Sequence, residues 1–337
     1  MTRRVNRVWG LAAGRPVRQP TRVTSLFDVQ INGFAGVDFQ DPGVSSDEVA
    51  RAVRALAGHQ TLRFFVTFIT DGRERLLEKV RHFEGIRAGD GAVAESVCGY
   101  HIEGPWLSPE AGYCGAHDPK KMRDPDPREL EALQDAANGN IRLVTLAPER
   151  GGSAAFIRAA REMGIRISLG HTDASGAKID EAVAAGAEFC THLGNGVPLQ
   201  MARHDNVVQR LLARDELTAF LIPDGIHLPP FALQNLFRAK PPGRALFTTD
   251  AVAAAGAPPG RHRSGEHEVD VGDDGAVRLP SGQLAGSALT PDRGLENVML
   301  WLGIDVAMAR RLWSVEAAAR FGIELPELPG ALGHNEP

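Results

Sequence analysis

Eight short apolar runs, each followed by a stretch with helical spacing, constrain this chain more than any other feature. The runs fall at 26–31, 63–69, 96–102, 141–147, 165–169, 188–192, 217–222 and 244–249. Between them, apolar residues recur every three or four positions at 46–59, 73–88, 127–137, 153–163, 175–185, 206–213 and 229–238. Strands of near-continuous apolar character are buried on both faces, as when helices cover a parallel sheet. Eight such units predict an α/β fold, a (β/α)8 TIM barrel. A doubly wound open sheet is the other architecture with this alternation.

Smaller signals refine the plan. Ser45 or Ser46 is placed to cap the first helix. After the eighth run comes an insertion, 251–286, rich in Gly and Pro. Within it EVDV (268–271) and AVRL (276–279) flank GDDG, the pattern of a β-hairpin. Two more helices are expected near 291–302 and 305–321. The expected domain plan is an N-terminal arm over 1–25, one barrel domain over 26–325 and a loose tail over 326–337.

Composition excludes several function classes. A net charge of −5 gives no footprint for nucleic acid. No apolar run is long enough to span a membrane. The three cysteines form no CxxC pair, which suggests a reducing compartment. Cys98 and Cys190 read as buried small hydrophobes. The first 27 residues hold six arginines and no acid. That fits a targeting segment or an irregular arm, and no apolar h-region makes it a secretory signal. A cytoplasmic enzyme is the expectation.

In such a barrel, functional groups stand at the C-terminal ends of the strands. Strand one is followed by Gln30 and Asn32. Strand three ends in Glu103, strand five in Gly170-His171 and strand six in Thr191-His192. His227 follows strand seven, and Asp250 ends strand eight. Glu103, His171 and His192 would therefore share one rim. Two imidazoles and a carboxylate suit a catalytic divalent ion with a position left for water. Asp250 on the same rim could act as general base to that water. Taken singly, each residue also has a plain structural reading: a hydrogen-bonded histidine, an arginine-paired glutamate, a turn-capping aspartate. The segment 284–287 (LAGS) could return backbone to the mouth of the site, or Ser287 or Thr290 could simply cap a helix.

The motifs DVQINGFAGVDF, HIEGPWLSPEAGYCGAHDP, LGHTDAS, THLGNGVP, PDGIHL, TTDAVAAAG and LAGSALT occur in this order over about 26–320. In this the chain resembles the N-acetylglucosamine-6-phosphate deacetylases of the amidohydrolase superfamily. The resemblance implies Glu103, His171 and His192 as metal ligands and Asp250 as the catalytic aspartate. It implies His117 as the group that polarises the substrate carbonyl. Ala116, Asn195, Gly196, Arg203, His227, Leu284, Ala285 and Gly286 match substrate-contacting positions, with Arg203 and His227 at the 6-phosphate. An arginine fork and an imidazole are good phosphate partners.

Many amidohydrolases carry His-x-His after strand one and hold a second metal there. Here Gln30 and Asn32 replace it, and neutral amides compete poorly for zinc. One divalent ion per subunit is expected: zinc first, with iron, manganese and cobalt also compatible. The expected reaction is hydrolysis of N-acetylglucosamine 6-phosphate, with another N-acyl amino sugar or a cyclic amide as the alternative substrate. A barrel that binds a sugar phosphate without catalysis is the remaining class. Family members are commonly homodimers, so a homodimer is expected here.

The sequence also departs from the family pattern. The small β-sandwich that usually flanks the barrel looks absent or vestigial. Gly196 stands where Ala is usual, and His204-Asp205-Asn206 follows Arg203 where an acidic-Pro-Gly sequence is typical. Tyr113-Cys114 precedes the GAHD motif where a charged or small residue is common. These departures surround the substrate and leave the metal set intact.

Overall fold

The structure is a computed structural model that describes residues 23–328. The expected arm over 1–25 and tail over 326–337 lie mostly outside the described residues. Eight parallel strands form the barrel sheet in chain order. They are β1 (Leu26–Ile31), β2 (Thr61–Ile69), β3 (Val97–Glu103), β4 (Ile141–Leu146), β5 (Arg166–Leu169), β6 (Phe189–Cys190), β7 (Thr218–Leu221) and β8 (Ala245–Phe247). Helices between them cover the outside, and β1 is buried along its whole length. The barrel expectation holds, and the open-sheet alternative does not.

No continuous ladder joins β8 back to β1 among the described residues. The seam is closed by other means. Ala251 bridges Ile31, and its carbonyl accepts the Asn32 N–H at 2.7 Å. The buried Asp28 carboxylate reaches from β1 to β8, accepting from the Thr248 hydroxyl and from the Thr249 N–H at 2.8 Å. The turn Arg311–Val315 packs against both β1 and β8 from outside. It interrupts the expected long C-terminal helix, which runs as Val306–Arg310, a wide π turn, and Glu316–Phe321.

Local chemistry sets the helix starts. Ser45 caps Ser46–Gly58, and Glu48 completes a reciprocal capping box. Pro127, Pro230 and Pro291 open their helices, where a missing N–H costs nothing. The short helix Gly91–Ser96, capped by Asp90, has too few residues to show a period in the sequence.

Two strands are much shorter than their apolar runs. The run at 188–192 gives only Phe189–Cys190, and that at 244–249 only Ala245–Phe247. Beyond each strand end the chain turns at a residue of positive φ, His192 and Asp250. The insertion holds three antiparallel strands, not two: β9 (Arg261–Ser264), β10 (His267–Val271) and β11 (Val277–Arg278). A small apolar cluster of Val252, Ala254, Val269, Val277 and Ala285 supports it. Pro326–Leu328 pairs with the chain near Val23–Ser25, so the start of the expected tail is tied down.

Candidate active site

Parallel register brings the site together. Glu103 at the end of β3 lies level with Ile69 on β2 and Thr145 on β4. His171 and His192 follow β5 and β6, and Asp250 follows β8. All three have positive φ, at 50°, 27° and 51°. Non-glycine residues avoid that region, and each costs on the order of 1–3 kcal/mol there. The bend turns each side chain away from the strand line and into the barrel mouth.

The Glu103 carboxylate is the centre. Its Oε1 lies 2.9 Å from His192 Nε2 and 3.4 Å from His171 Nε2. Its Oε2 accepts a hydrogen bond from Gln30 Nε2 at 3.0 Å. His117 Nε2 stands 3.8 Å from that same oxygen. The rings of His117, His171 and His192 follow one another edge to face, with centroids 4.6 and 4.9 Å apart. Asp250 Oδ1 accepts from Asn32 Nδ2 at 2.7 Å. Gln30 and Asn32 thus aim amide N–H groups at the two carboxylates.

Electrostatics follows from burial. Burial pushes the Glu103 carboxyl up, but hydrogen bonds from His171 and His192 outweigh it and hold it well below the usual range. Burial opposes charge on His192 as well, yet the Glu103 carboxylate raises it above an ordinary histidine. His117 is pushed down to about 3, by burial first and by neighbouring His171 next. Asp250 is pushed up to about 7, by burial and then by the charge of Glu103. A carboxylate that titrates near neutrality suits a general base.

The residues fit a divalent ion. One ligand atom from each of Glu103, His171 and His192 lies within 4.8 Å of the others, all three residues being buried. The Tyr113 carbonyl, 2.8 Å from His171 Nδ1, takes that N–H and leaves Nε2 free as a ligand atom. His171 is also boxed in. A Cβ on Gly115 or on Gly196 would lie 2.7 Å from its ring, so both glycines are needed for it to stand there.

A cavity of about 810 Å³ opens above this group. Its lining includes Ala116, His117, Asn195, Gly196, His227 and Asp250, with Leu284, Ala285 and Gly286 on the insertion side. The segment 284–287 does return to the site. Ser287 N–H donates to the Asp250 carbonyl at 2.9 Å, and the Ser287 hydroxyl to the Thr249 carbonyl. Thr290, not Ser287, stands at the N-cap position of the next helix, without a side-chain capping bond. His227 is fixed by Asp224, whose carboxylate lies 2.6 Å from its Nδ1.

Arg203 is the exception among the expected residues. It is exposed on the stretch before Val207–Leu212 and does not line the cavity. The chain just before it, Val197, Pro198 and Leu199, does line the cavity. Thr70 and the Tyr113 carbonyl were missed. Thr70, whose hydroxyl lies 2.9 Å from His117 Nδ1, directly follows β2, a strand end that the sequence marks like the others. The Tyr113 carbonyl is backbone and leaves no mark in sequence.

No protein-family model matches the chain. Curated relatives do. N-acetylglucosamine-6-phosphate deacetylase of Bos taurus is 37% identical over 311 residues, covering 89% of this chain and 74% of the relative. The chain belongs to the N-acetylglucosamine-6-phosphate deacetylase family. A further relative, N-acetylgalactosamine-6-phosphate deacetylase of Escherichia coli O157:H7, is 31% identical over 93% of this chain and 80% of its own length. Among solved structures, a variant of N-acetyl-D-glucosamine-6-phosphate deacetylase from Mycobacterium smegmatis, crystallised in complex with N-acetyl-D-glucosamine-6-phosphate, superposes with a TM-score of 0.82. It is 32% identical, covering 92% of this chain and 80% of that one. The match therefore extends over nearly the whole chain.

Proposed function

We propose that this chain hydrolyses the N-acetyl group of N-acetylglucosamine 6-phosphate, giving glucosamine 6-phosphate and acetate. The observation that carries this is the buried Glu103–His171–His192 group beside Asp250 and His117 at one rim, in a chain of deacetylase ancestry. Glu103, His171 and His192 would hold one divalent ion, with zinc our choice among compatible metals. When bound, such an ion supplies Lewis-acid chemistry, polarising an oxygen and acidifying a water. The amides of Gln30 and Asn32 face the carboxylates as donors, which supports one ion and not two.

Asp250 takes the proton of the attacking water and returns it to the leaving amine. Asn32 holds one of its oxygens, which leaves the other for the proton. His117 donates from Nε2 to the carbonyl oxygen as negative charge develops there. Ala116, Asn195, Gly196 and the backbone of 284–286 shape the sugar's side of the cavity. No lysine or arginine lines it among the described residues. Within it the phosphate faces His227, and Arg203 joins from the loop beyond the rim.

We place the reaction in the cytoplasm, in a barrel domain over 26–325 that works as a homodimer. Support comes from three free cysteines and from exposed Phe231 and Leu300 on two helices that pack together, Pro230–Ala239 and Pro291–Leu302. Among the described residues, no helix is long and apolar enough to cross a membrane.

The test is acetate release by metal-loaded protein from N-acetylglucosamine 6-phosphate, N-acetylgalactosamine 6-phosphate and N-acetylglucosamine side by side. Preference for the first, with one metal equivalent per chain and loss of turnover in Asp250→Asn, is the expected outcome. Preference for the second would transfer the assignment to the galacto substrate named for the Escherichia coli O157:H7 relative. Turnover of none would overturn the substrate and move it to another N-acyl amino sugar or a cyclic amide.

A further inference from the structure

We propose that Thr70 is a positioning residue for the deacetylation: it holds the His117 imidazole with its proton on Nε2, toward the cavity. The inference rests on the reaction proposed above and adds to it the group that makes His117 a donor. A neutral imidazole has one N–H and one lone pair, and only one of the two tautomers can donate to a carbonyl oxygen from Nε2. Something must choose between them.

Two groups of Thr70 face His117 Nδ1. The hydroxyl lies 2.9 Å away and the backbone N–H 3.4 Å away. A hydroxyl can donate or accept and would tolerate either tautomer. A backbone N–H can only donate, so it requires a lone pair on Nδ1. That leaves the proton on Nε2, which faces the cavity and stands 3.8 Å from Glu103 Oε2. With the N–H deciding the direction, the Thr70 hydroxyl also donates to Nδ1.

The fold reserves room for this contact. Ile69 pairs with Glu103 across β2 and β3, so Thr70 comes level with Gly104, one residue past the ligand. A Cβ on Gly104 would lie 2.2 Å from Thr70 Oγ1, and Gly104 has a φ of +85°. Only glycine lets the hydroxyl stand where it meets His117. Thr70 is itself buried, which shields the hydrogen bond from competing water. The same short piece of backbone thus sets the metal-ligand carboxylate on one side and the tautomer of the carbonyl donor on the other.

The experiment compares wild type, Thr70→Val and Thr70→Ser, each loaded with zinc and labelled with 15N-histidine. The 15N imidazole signals report which nitrogen of His117 carries the proton, with no substrate needed. Wild type and Thr70→Ser are expected to show an unprotonated Nδ1. Thr70→Val keeps only the longer 3.4 Å N–H contact, which sets the direction but holds weakly without the 2.9 Å hydroxyl bond, and is expected to shift toward mixed tautomers. In turnover of N-acetylglucosamine 6-phosphate, Thr70→Val should lose kcat by about tenfold or more with KM little changed. Thr70→Ser should restore most of it.

A proton on Nδ1 in the wild type would overturn the proposal. So would a Thr70→Val protein that loses turnover while the His117 signals stay as in wild type, because its role would then be structural. Should the substrate assignment itself be wrong, the imidazole signals still decide the tautomer.

Discussion

Gly196 shows how a single residue can be legible as a departure and opaque as to its reason. The resemblance leads one to expect alanine at this position. In the structure its φ is +61°, and an added Cβ would lie 2.7 Å from His171 Nδ1. Glycine there lets the imidazole keep its hydrogen bond to the Tyr113 carbonyl. Gly196→Ala should push the ring and weaken metal binding by roughly tenfold or more, the usual cost of disturbing a ligand's outer contacts. Competition with a chromophoric zinc chelator measures it directly. An unchanged affinity would mean that the ring does not act as a ligand in this position. The site residues themselves were readable, because Glu103, His171, His192 and Asp250 each close or directly follow an apolar run. Their left-handed φ values were not, since no spacing rule marks a strained non-glycine residue. Arg203 was expected at the phosphate on motif position alone, and the structure shows it exposed and outside the cavity lining.

Among the elements, the insertion was the hardest to read. Its hairpin was visible from alternation around GDDG, but β9 (RHRS) is polar on both faces and gives no period. What ties it down is equally local. The turn between β9 and β10 places Gly265 N–H 2.6 Å from Asp38 Oδ2, and Glu266 pairs with Lys121 at 2.7 Å. The insertion's Ser264, Leu279 and Gln283 line the cavity, so this anchor bears on the site. Burial pushes the Asp38 carboxyl up from 3.8 to about 6, against hydrogen bonds from Gln40 and Gly265; Lys79 lowers it and Asp41 raises it. A raised acid pKa means that the folded state binds the proton more tightly than the unfolded one. The stability from Asp38 is therefore fully present below about 4 and lost as pH rises through about 6. Two pKa units correspond to roughly 3 kcal/mol. Urea unfolding of wild type and Asp38→Asn across this window should show the wild type losing ground to the variant by an amount of that order, then running level above it. A constant gap between the two would show that the hairpin turn does not bury Asp38.

For the whole molecule, the barrel was legible and its closure was not. Eight apolar runs and seven helical stretches specify how many units there are and that the sheet is parallel. Nothing in such a pattern says how the last strand meets the first. Here a continuous ladder gives way at the seam to the Ala251 bridge and to one acid, Asp28, in the run LFDVQI, where a reading by hydrophobicity passes over it. Its oxygens accept from the Thr248 hydroxyl, the Thr249 N–H and the Gln30 N–H, all buried. Asp28→Ala would leave those donors without an acceptor, at about 1–3 kcal/mol each when unmet. Asp28→Asn keeps the volume but turns one oxygen into a donor facing another donor. Both variants should unfold at lower urea, Asp28→Ala earlier than Asp28→Asn, with the slope of the transition unchanged if the barrel still unfolds as one unit. Asp250 follows Thr249, so a loosened seam also frees the proposed general base. In Asp28→Asn, kcat should fall at temperatures where the protein is still fully folded, with KM moving less. A lower urea midpoint with full kcat would separate the two roles: Asp28 would close the barrel without steadying Asp250. An unchanged midpoint would mean that the Ala251 bridge and the Arg311–Val315 turn hold the seam by themselves.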